Sequence, residues 1–137
     1  MAWVVDSCVL IDVAINDPTF GRVSANCLQS RLRQGLLICP VSYVEIGPVF
    51  EGDVALQERF LEAAGIDWME PWTSADTALA HQLWVQYVFR KRRQKTSRRP
   101  VADVLIGAFA ARFEGLVTRN VDHFRGLCPG LRLIQPR

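Results

Sequence analysis

Short apolar segments alternate with longer amphipathic segments along this chain, and this alternation limits the possible folds more than any other feature. The apolar segments at residues 3–5, 36–39, 65–70 and 116–118 are predicted to be buried strands, and residues 131–134 are a candidate edge strand. Between them, apolar residues recur at the spacing of a helix face. Strands separated by helices form a parallel sheet that is covered on both faces. We therefore expect an α/β fold.

Local signals predict where the helices begin. Ser42 and Thr73 are each followed three residues later by an acid, Glu45 and Asp76, which is the spacing of a capping box. Ser7 is a candidate cap of the first helix, and Asp6 could also serve as its cap. Proline is favoured in the first position of a helix, so Pro100 is expected to open another, which Gly115 would end.

Length and composition fit one globular domain over residues 1–137. Half of the 137 residues are apolar and four are tryptophan, which argues against disorder. No apolar run reaches the length of about 20 residues that spans a bilayer. The first residues lack the basic and long apolar regions of a secretory signal, so we expect a cytoplasmic protein without a membrane anchor.

Cysteine and histidine spacing does not indicate a zinc site. Cys8, Cys27, Cys39 and Cys128 show no Cys-x-x-Cys pair, and in a reducing compartment they are expected to be free thiols. His81 and His123 are too far apart in sequence to indicate a metal-binding pair.

Four acids occur where an α/β fold directs side chains toward one crevice, after strands or in the first turns of helices. They are Asp6, Glu45, Asp103 and Asp122. Ligand crevices of parallel sheets lie beyond the carboxyl ends of the strands. A carboxylate in an apolar segment is costly to bury unless a cation neutralises it, and several together are typical ligands of Mg²⁺ or Mn²⁺. The pattern predicts a metal-dependent enzyme that acts on phosphate esters. Asp12 is expected to be exposed.

A run of basic residues lies between the long helix and Pro100. It contains seven cations and no acid: Arg90, Lys91, Arg92, Arg93, Lys95, Arg98 and Arg99. Such a run attracts nucleic-acid phosphates, although cations also complement the carboxyl end of a helix. Arg119 is a further candidate for a phosphate contact, or an exposed loop arginine. Although the net charge is only +2, this distribution favours a surface that contacts nucleic acid.

Four segments, taken together, resemble the PIN-domain ribonucleases, and within them the VapC-type toxins of type II toxin–antitoxin systems. They are residues 4–12 (VVDSCVLID), 42–47 (SYVEIG), 99–108 (RPVADVLIGA) and 117–124 (VTRNVDHF). The resemblance implies a PIN-like three-layer α/β/α sandwich with a central, mostly parallel sheet. It also implies an endoribonuclease that uses Mg²⁺ or Mn²⁺ and leaves 5′-phosphate and 3′-hydroxyl ends. Such proteins are usually homodimers and are inhibited by a cognate antitoxin.

Within this resemblance, Asp6 and Asp103 are expected to be the main metal ligands. Glu45 would bind the metal through water or orient the nucleophile, and Asp122 would support the other side of the pocket. Supporting roles are possible for Ser7, Thr118 and Asn120, and either Asn120 or Asp122 could complete the acidic site. Trp84 is a candidate dimer contact. The alternatives are a catalytically silent RNA-binding protein with the same fold, and a nuclease that acts on DNA.

Overall fold

The computed structural model describes residues 1–91 and 100–137 of the chain. In this part of the chain there are five strands: β1 (Trp3–Val5), β2 (Leu36–Leu37), β3 (Ile66–Asp67), β4 (Gly115–Val117) and β5 (Leu133–Ile134). The described helices are α1 (Ser7–Ala14), α2 (Gly21–Arg31), α3 (Pro40–Glu45), α4 (Val54–Ala63), α5 (Ser74–Lys91), α6 (Val101–Ala110) and α7 (Val121–Leu127). A 3-10 helix, Gly47–Phe50, follows α3.

The strands form one parallel sheet in the order β3-β2-β1-β4-β5. Trp3 in β1 is in register with Leu36 on one side and Gly115 on the other. The chain therefore adds β2 and β3 beside one edge of β1, and later adds β4 and β5 beside its other edge. At such a reversal of direction, the crossover connections diverge and leave a crevice at the carboxyl ends of the two central strands. Here these strands are β1 and β4.

Two apolar clusters cover the faces of the sheet. Side chains alternate between the faces along each strand, so Val4 packs in the cluster with α5, α6 and α7, while Trp3 and Val5 pack with α1, α2 and α4. Val4, Val5 and Leu116 are completely buried. Each buried aliphatic side chain of this size contributes about 1.5–3 kcal/mol to folding. The predicted α/β/α sandwich is confirmed.

Of the two candidate caps of α1, the structure has Asp6, and the predicted start of α3 is wrong. Asp6, rather than Ser7, is the N-cap of α1, because its side chain accepts a hydrogen bond from the Ser7 amide. Helix α3 begins at Pro40, with Cys39 as its N-cap, so Glu45 is its last residue rather than part of a capping box. Proline at the start of a helix outweighed the Ser/Glu spacing, because its fixed φ suits the first turn.

One other helix start is confirmed, and the helix after Pro100 is shorter than predicted. Thr73 and Asp76 form the expected capping box of α5, with reciprocal hydrogen bonds of 3.0 and 3.2 Å. Pro100 is the N-cap of α6, which ends at Ala110, while Gly115 begins β4 instead of ending the helix. Within the described residues, we find no helix with the length and apolar character needed to cross a membrane.

Candidate active site

The carboxyl ends of β1 and β4 bring Asp6 and Thr118 together. Pairing of the strands continues one residue beyond β1, where the Asp6 amide donates to the Val117 carbonyl at 2.9 Å. The Thr118 hydroxyl then donates to Oδ2 of Asp6 at 2.7 Å. Thr118 is completely buried and Asp6 is only 4% exposed. The sheet register thus places a buried carboxylate in the crevice that its topology creates.

Neutral donors surround the Asp6 carboxylate. Oδ1 accepts from the Ser7 amide at 2.8 Å, and Oδ2 accepts from the Cys8 thiol at 3.3 Å in addition to Thr118. These bonds fix the orientation of the carboxylate but supply no positive charge. Asp6 therefore caps α1 and also places a carboxyl group at the crevice.

Burial is the main cause that raises the pKa of Asp6 above its ordinary value. The hydrogen bonds from Thr118 and Cys8 oppose that rise, whereas the negative charge of Asp103 adds to it. Asp103 therefore lies near enough to Asp6 for the two carboxylates to repel each other. Burial and the charge of Asp6 also raise the pKa of the Cys8 thiol, to about 12, so Cys8 is a protonated donor at neutral pH.

Glu45 joins this group through Ser7. The Ser7 hydroxyl donates to Oε1 of Glu45 at 2.6 Å, while the Ser7 amide donates to Oδ1 of Asp6. Glu45 ends α3 and is exposed, whereas Ser7 is buried. Ser7 therefore links the acid at the end of β1 to the acid at the end of α3.

Asp103 lies in the first turn of α6 and contacts α7. Its Oδ2 is 2.9 Å from Nε2 of His123, and each of the two side chains is 32% exposed. An acid in the first turn is stabilised by the helix dipole. The structure thus places three of the four predicted acids, Asp6, Glu45 and Asp103, around the ends of β1, α3 and α6.

Asp122 is the predicted acid that the structure places elsewhere. Its side chain is 99% exposed and pairs with Arg125 in the next turn of α7, at 3.2 Å. Asn120 is also exposed, and its backbone amide donates to the Thr118 hydroxyl at 3.0 Å. Asn120, Asp122 and His123 line an open pocket of about 270 Å³ beside Gln135.

The acids at the crevice differ from other acids in how their charge is balanced. Elsewhere in the described residues, arginines pair with acids in four places: Arg112 with Asp76 and Glu70, Arg119 with Asp12, Arg125 with Asp122, and Arg132 with Glu114. In the same part of the chain, the hydrogen bonds to Asp6 and Glu45 come from hydroxyl, thiol and amide donors, and the bond to Asp103 comes from an imidazole. Within the described residues, the contacts of these three acids are thus with donors other than arginine.

This donor set fits a hard divalent cation. Carboxylate oxygens are the preferred ligands of Mg²⁺ and Mn²⁺, and Mg²⁺ keeps several waters, so it needs only one or two protein carboxylates. Among the described residues, no group of three or more His, Cys, Asp or Glu side chains is arranged to hold a metal ion by itself. Water and substrate oxygens would therefore supply part of the coordination.

Arg119 and Asp12 are placed differently from the prediction. Asp12 is only 3% exposed, which corrects the expectation that it is exposed. Nε and Nη2 of Arg119 donate to the two carboxylate oxygens of Asp12 at 2.5 and 3.2 Å. The Arg119 guanidinium also lies 4.1 Å from the centre of the Phe20 ring. Its partner lies inside the protein, so Arg119 anchors the loop after β4 to α1.

The basic run is described only at its beginning. Arg90 donates to the Gly126 carbonyl at 2.6 Å, and the Lys91 ammonium lies 5.9 Å from the centre of the Tyr87 ring. Five of the predicted RNA-binding residues lie outside the described residues: Arg92, Arg93, Lys95, Arg98 and Arg99.

Cys8 and His123 were not among the predicted site residues, but the structure brings both into contact with the site. The short helix Val121–Leu127, which places His123 beside Asp103, was not predicted.

No protein-family model matches this sequence, and no curated protein matches it. Among solved structures, the chain is similar to one in the crystal structure of VapBC2 from Rickettsia felis bound to a DNA fragment from their promoter. The similarity covers 98% of both chains, with a TM-score of 0.66 and 16% sequence identity. At this identity the likeness shows the fold, and it confirms the predicted resemblance to VapC-type PIN domains at that level.

Proposed function

We propose that this chain is a Mg²⁺- or Mn²⁺-dependent endoribonuclease, the toxin of a toxin–antitoxin pair that inhibits growth by cleaving RNA in the cytoplasm. One observation carries the proposal: Asp6 is buried beside the charge of Asp103 at the carboxyl ends of β1 and β4, and its hydrogen bonds in the described structure come from neutral donors. Such a carboxylate is stabilised when a cation binds. The fold shared with a VapBC2 chain supports the same function.

The chain's own residues have separate roles in this proposal. Asp6 and Asp103 would hold the divalent ion, and Glu45 would accept a proton from water or orient it. When bound, the ion supplies Lewis acidity, which activates water and neutralises charge on the scissile phosphate. The Thr118 hydroxyl holds the Asp6 carboxylate in place, and the Ser7 hydroxyl holds that of Glu45. Asp122 is left out of the ligand set because it is exposed and paired with Arg125.

RNA is the proposed substrate, and the basic run from Arg90 to Arg99 is proposed to hold its backbone. Positive charge supplies affinity for any nucleic-acid strand, because phosphate contacts do not distinguish RNA from DNA. The preference for RNA therefore depends on the resemblance of the motifs around Asp6, Glu45 and Asp103 to PIN-domain ribonucleases.

An antitoxin and a second copy of the chain are the proposed protein partners. The antitoxin proposal rests on the likeness to a VapBC2 chain. For the homodimer, an open, largely apolar groove of ≈ 490 Å³ runs between α3, α5 and α6, and Trp84 and Trp72 line it. Replacing Trp84 with alanine should shift the protein from dimer to monomer in sedimentation experiments; an unchanged association state would exclude this face.

The test of the function is cleavage of total cellular RNA by the purified protein in Mg²⁺, in Mn²⁺ and in EDTA. A variant with both Asp6→Ala and Asp103→Ala, shown to be folded by circular dichroism, is the control. We expect discrete cuts with either metal, and none in EDTA or with the variant.

The alternatives give different results in the same assay. RNA that is bound but uncut in every metal would favour the catalytically silent RNA-binding protein. Cuts that persist in EDTA or with the folded variant would contradict the proposed site.

A further inference from the structure

The contact between His123 and Asp103 joins two helices at the candidate site. His123 lies in the first turn of α7 and Asp103 in the first turn of α6, and their side chains meet at 2.9 Å. The Phe124 ring and the imidazole meet edge to face, with the ring centres 5.8 Å apart and the planes at 74°. Phe124 is completely buried. The imidazole is therefore carried by a helix that is anchored in the core.

The direction of this hydrogen bond follows from the chemistry of the groups. An ionised carboxylate has no hydrogen to donate, so Nε2 of His123 carries the hydrogen and Oδ2 of Asp103 accepts it. The bond therefore orients the Asp103 carboxylate through Oδ2.

We propose that His123 is a positioning residue that fixes the Asp103 carboxylate for a divalent cation, an inference that rests on the proposed function. Carboxylates that bind metal ions are themselves usually held by hydrogen bonds from a second residue. The other two acids have such donors, because Thr118 and Cys8 hold Asp6 and Ser7 holds Glu45. His123 completes this pattern for Asp103.

The neighbouring Asp122 offers a matched control. It follows Val121 in the same helical turn as His123, but its side chain is 99% exposed and pairs with Arg125. A change at Asp122 therefore alters α7 without touching Asp103. If a change anywhere in the first turn of α7 lowered metal affinity, substitutions at Asp122 and at His123 would have the same effect.

The experiment measures Mn²⁺ affinity of the full chain by electron paramagnetic resonance of the free ion. Six proteins are compared: the wild type, His123→Ala, His123→Asn, His123→Gln, Asp122→Asn and Asp103→Asn. Loss of a residue that orients a ligand typically lowers metal affinity by about 10–100-fold, which we expect for His123→Ala and His123→Asn. The longer His123→Gln should regain most of the affinity, because its amide NH reaches as far as Nε2. Asp122→Asn should bind like the wild type.

Each outcome has one meaning. Wild-type affinity in His123→Ala, together with weak binding by Asp103→Asn, would overturn the role of His123 and leave the proposed function intact. Nitrogen hyperfine coupling typical of a directly bound imidazole would also overturn it, because His123 would then be a ligand. Failure of the wild type to bind Mn²⁺ would overturn the proposed function itself. Thermal unfolding without metal checks that every variant is folded.

Discussion

Asp6 illustrates how one residue serves both the fold and the candidate site. As the N-cap of α1 it accepts from the Ser7 amide, and as a buried carboxylate beside Asp103 it keeps a raised pKa. A purely structural cap would be satisfied by asparagine almost as well as by aspartate. Asparagine carries no charge, so the two roles can be separated by a single substitution.

We predict that Asp6→Asn and Asp103→Asn each lower the rate of RNA cleavage by about 100-fold or more, because several kcal/mol of metal-based stabilisation are lost. Asp122→Asn should keep the rate within about twofold, because an exposed ion pair contributes little. Single-turnover cleavage of one RNA measures all three. Equal losses at Asp6 and Asp122 would contradict the assignment.

The pair formed by Arg119 and Asp12 leads to a prediction about stability. Arg119→Ala leaves Asp12 buried without a counter-charge, so we expect a loss on the order of 3 kcal/mol in the free energy of unfolding. Arg119→Lys should recover only part of it, because lysine cannot donate two hydrogen bonds in a planar fork. Urea unfolding measures the change. A loss in Arg119→Ala that is not reduced by adding Asp12→Asn would show that the pair is not the cause.

At the scale of helices and strands, the capping box of α5 is more than a local signal. Asp76 is 1% exposed and also accepts from Nε and Nη2 of Arg112, which follows the end of α6, at 2.8 and 3.0 Å. Burial tends to raise the pKa of Asp76, but the hydrogen bonds from Arg112 and Thr73 outweigh it and lower the pKa below 3.8. The same side chain thus starts one helix and binds another segment to it.

This lowered pKa predicts how stability depends on pH. An acid whose pKa is lower in the folded state stabilises the fold fully above its unfolded value of 3.8, and this contribution is lost as the pH falls through the folded-state pKa. At pH 7, Asp76→Asn should cost on the order of 3 kcal/mol. The difference from the wild type should narrow below pH 3.8. Urea unfolding from pH 7 to pH 3 checks this; a constant difference would refute it.

Packing of α6 against the end of α7 depends on Gly107. A Cβ atom at this position would overlap Sγ of Cys128, which is buried. We expect Gly107→Ala to cost about 1–3 kcal/mol, as is usual for overpacking. Adding Cys128→Ala should recover part of the loss, because the new methyl group then occupies the space of the sulfur. Guanidinium unfolding of the two single variants and the double variant measures the coupling; simple additivity would contradict the proposed overlap.

At the scale of the whole molecule, the sequence predicts the sheet well because its strands are short, apolar and separated by helices. Asp6 and Asp103 were identified because each lies at the boundary of an apolar segment. The burial of Asp12 and the position of His123 were not predictable, because each depends on a partner that is distant in sequence. The partner of Asp12 is Arg119, and the partner of His123 is Asp103. Asp122 differed from the expectation because α7 directs it to solvent and directs His123 inward.

The position of the site follows from the topology of the sheet. Strands β2 and β3 are added on one side of β1, and β4 and β5 on its other side. The carboxylates lie where β1 and β4 end. Because residues from α1, α3, α6 and α7 meet there, the site forms only when the whole fold is complete.

The most direct test of the central claim is cleavage of one single-stranded RNA, beside single-stranded DNA of the same sequence, by the wild-type protein. EDTA is added first and Mn²⁺ is then returned in excess. We predict that the RNA is cut only when Mn²⁺ is present, that the DNA stays intact, and that Asp6→Asn cuts neither. RNA cleavage that continues in EDTA, or that Asp6→Asn retains, would contradict a metal-dependent nuclease site built on Asp6.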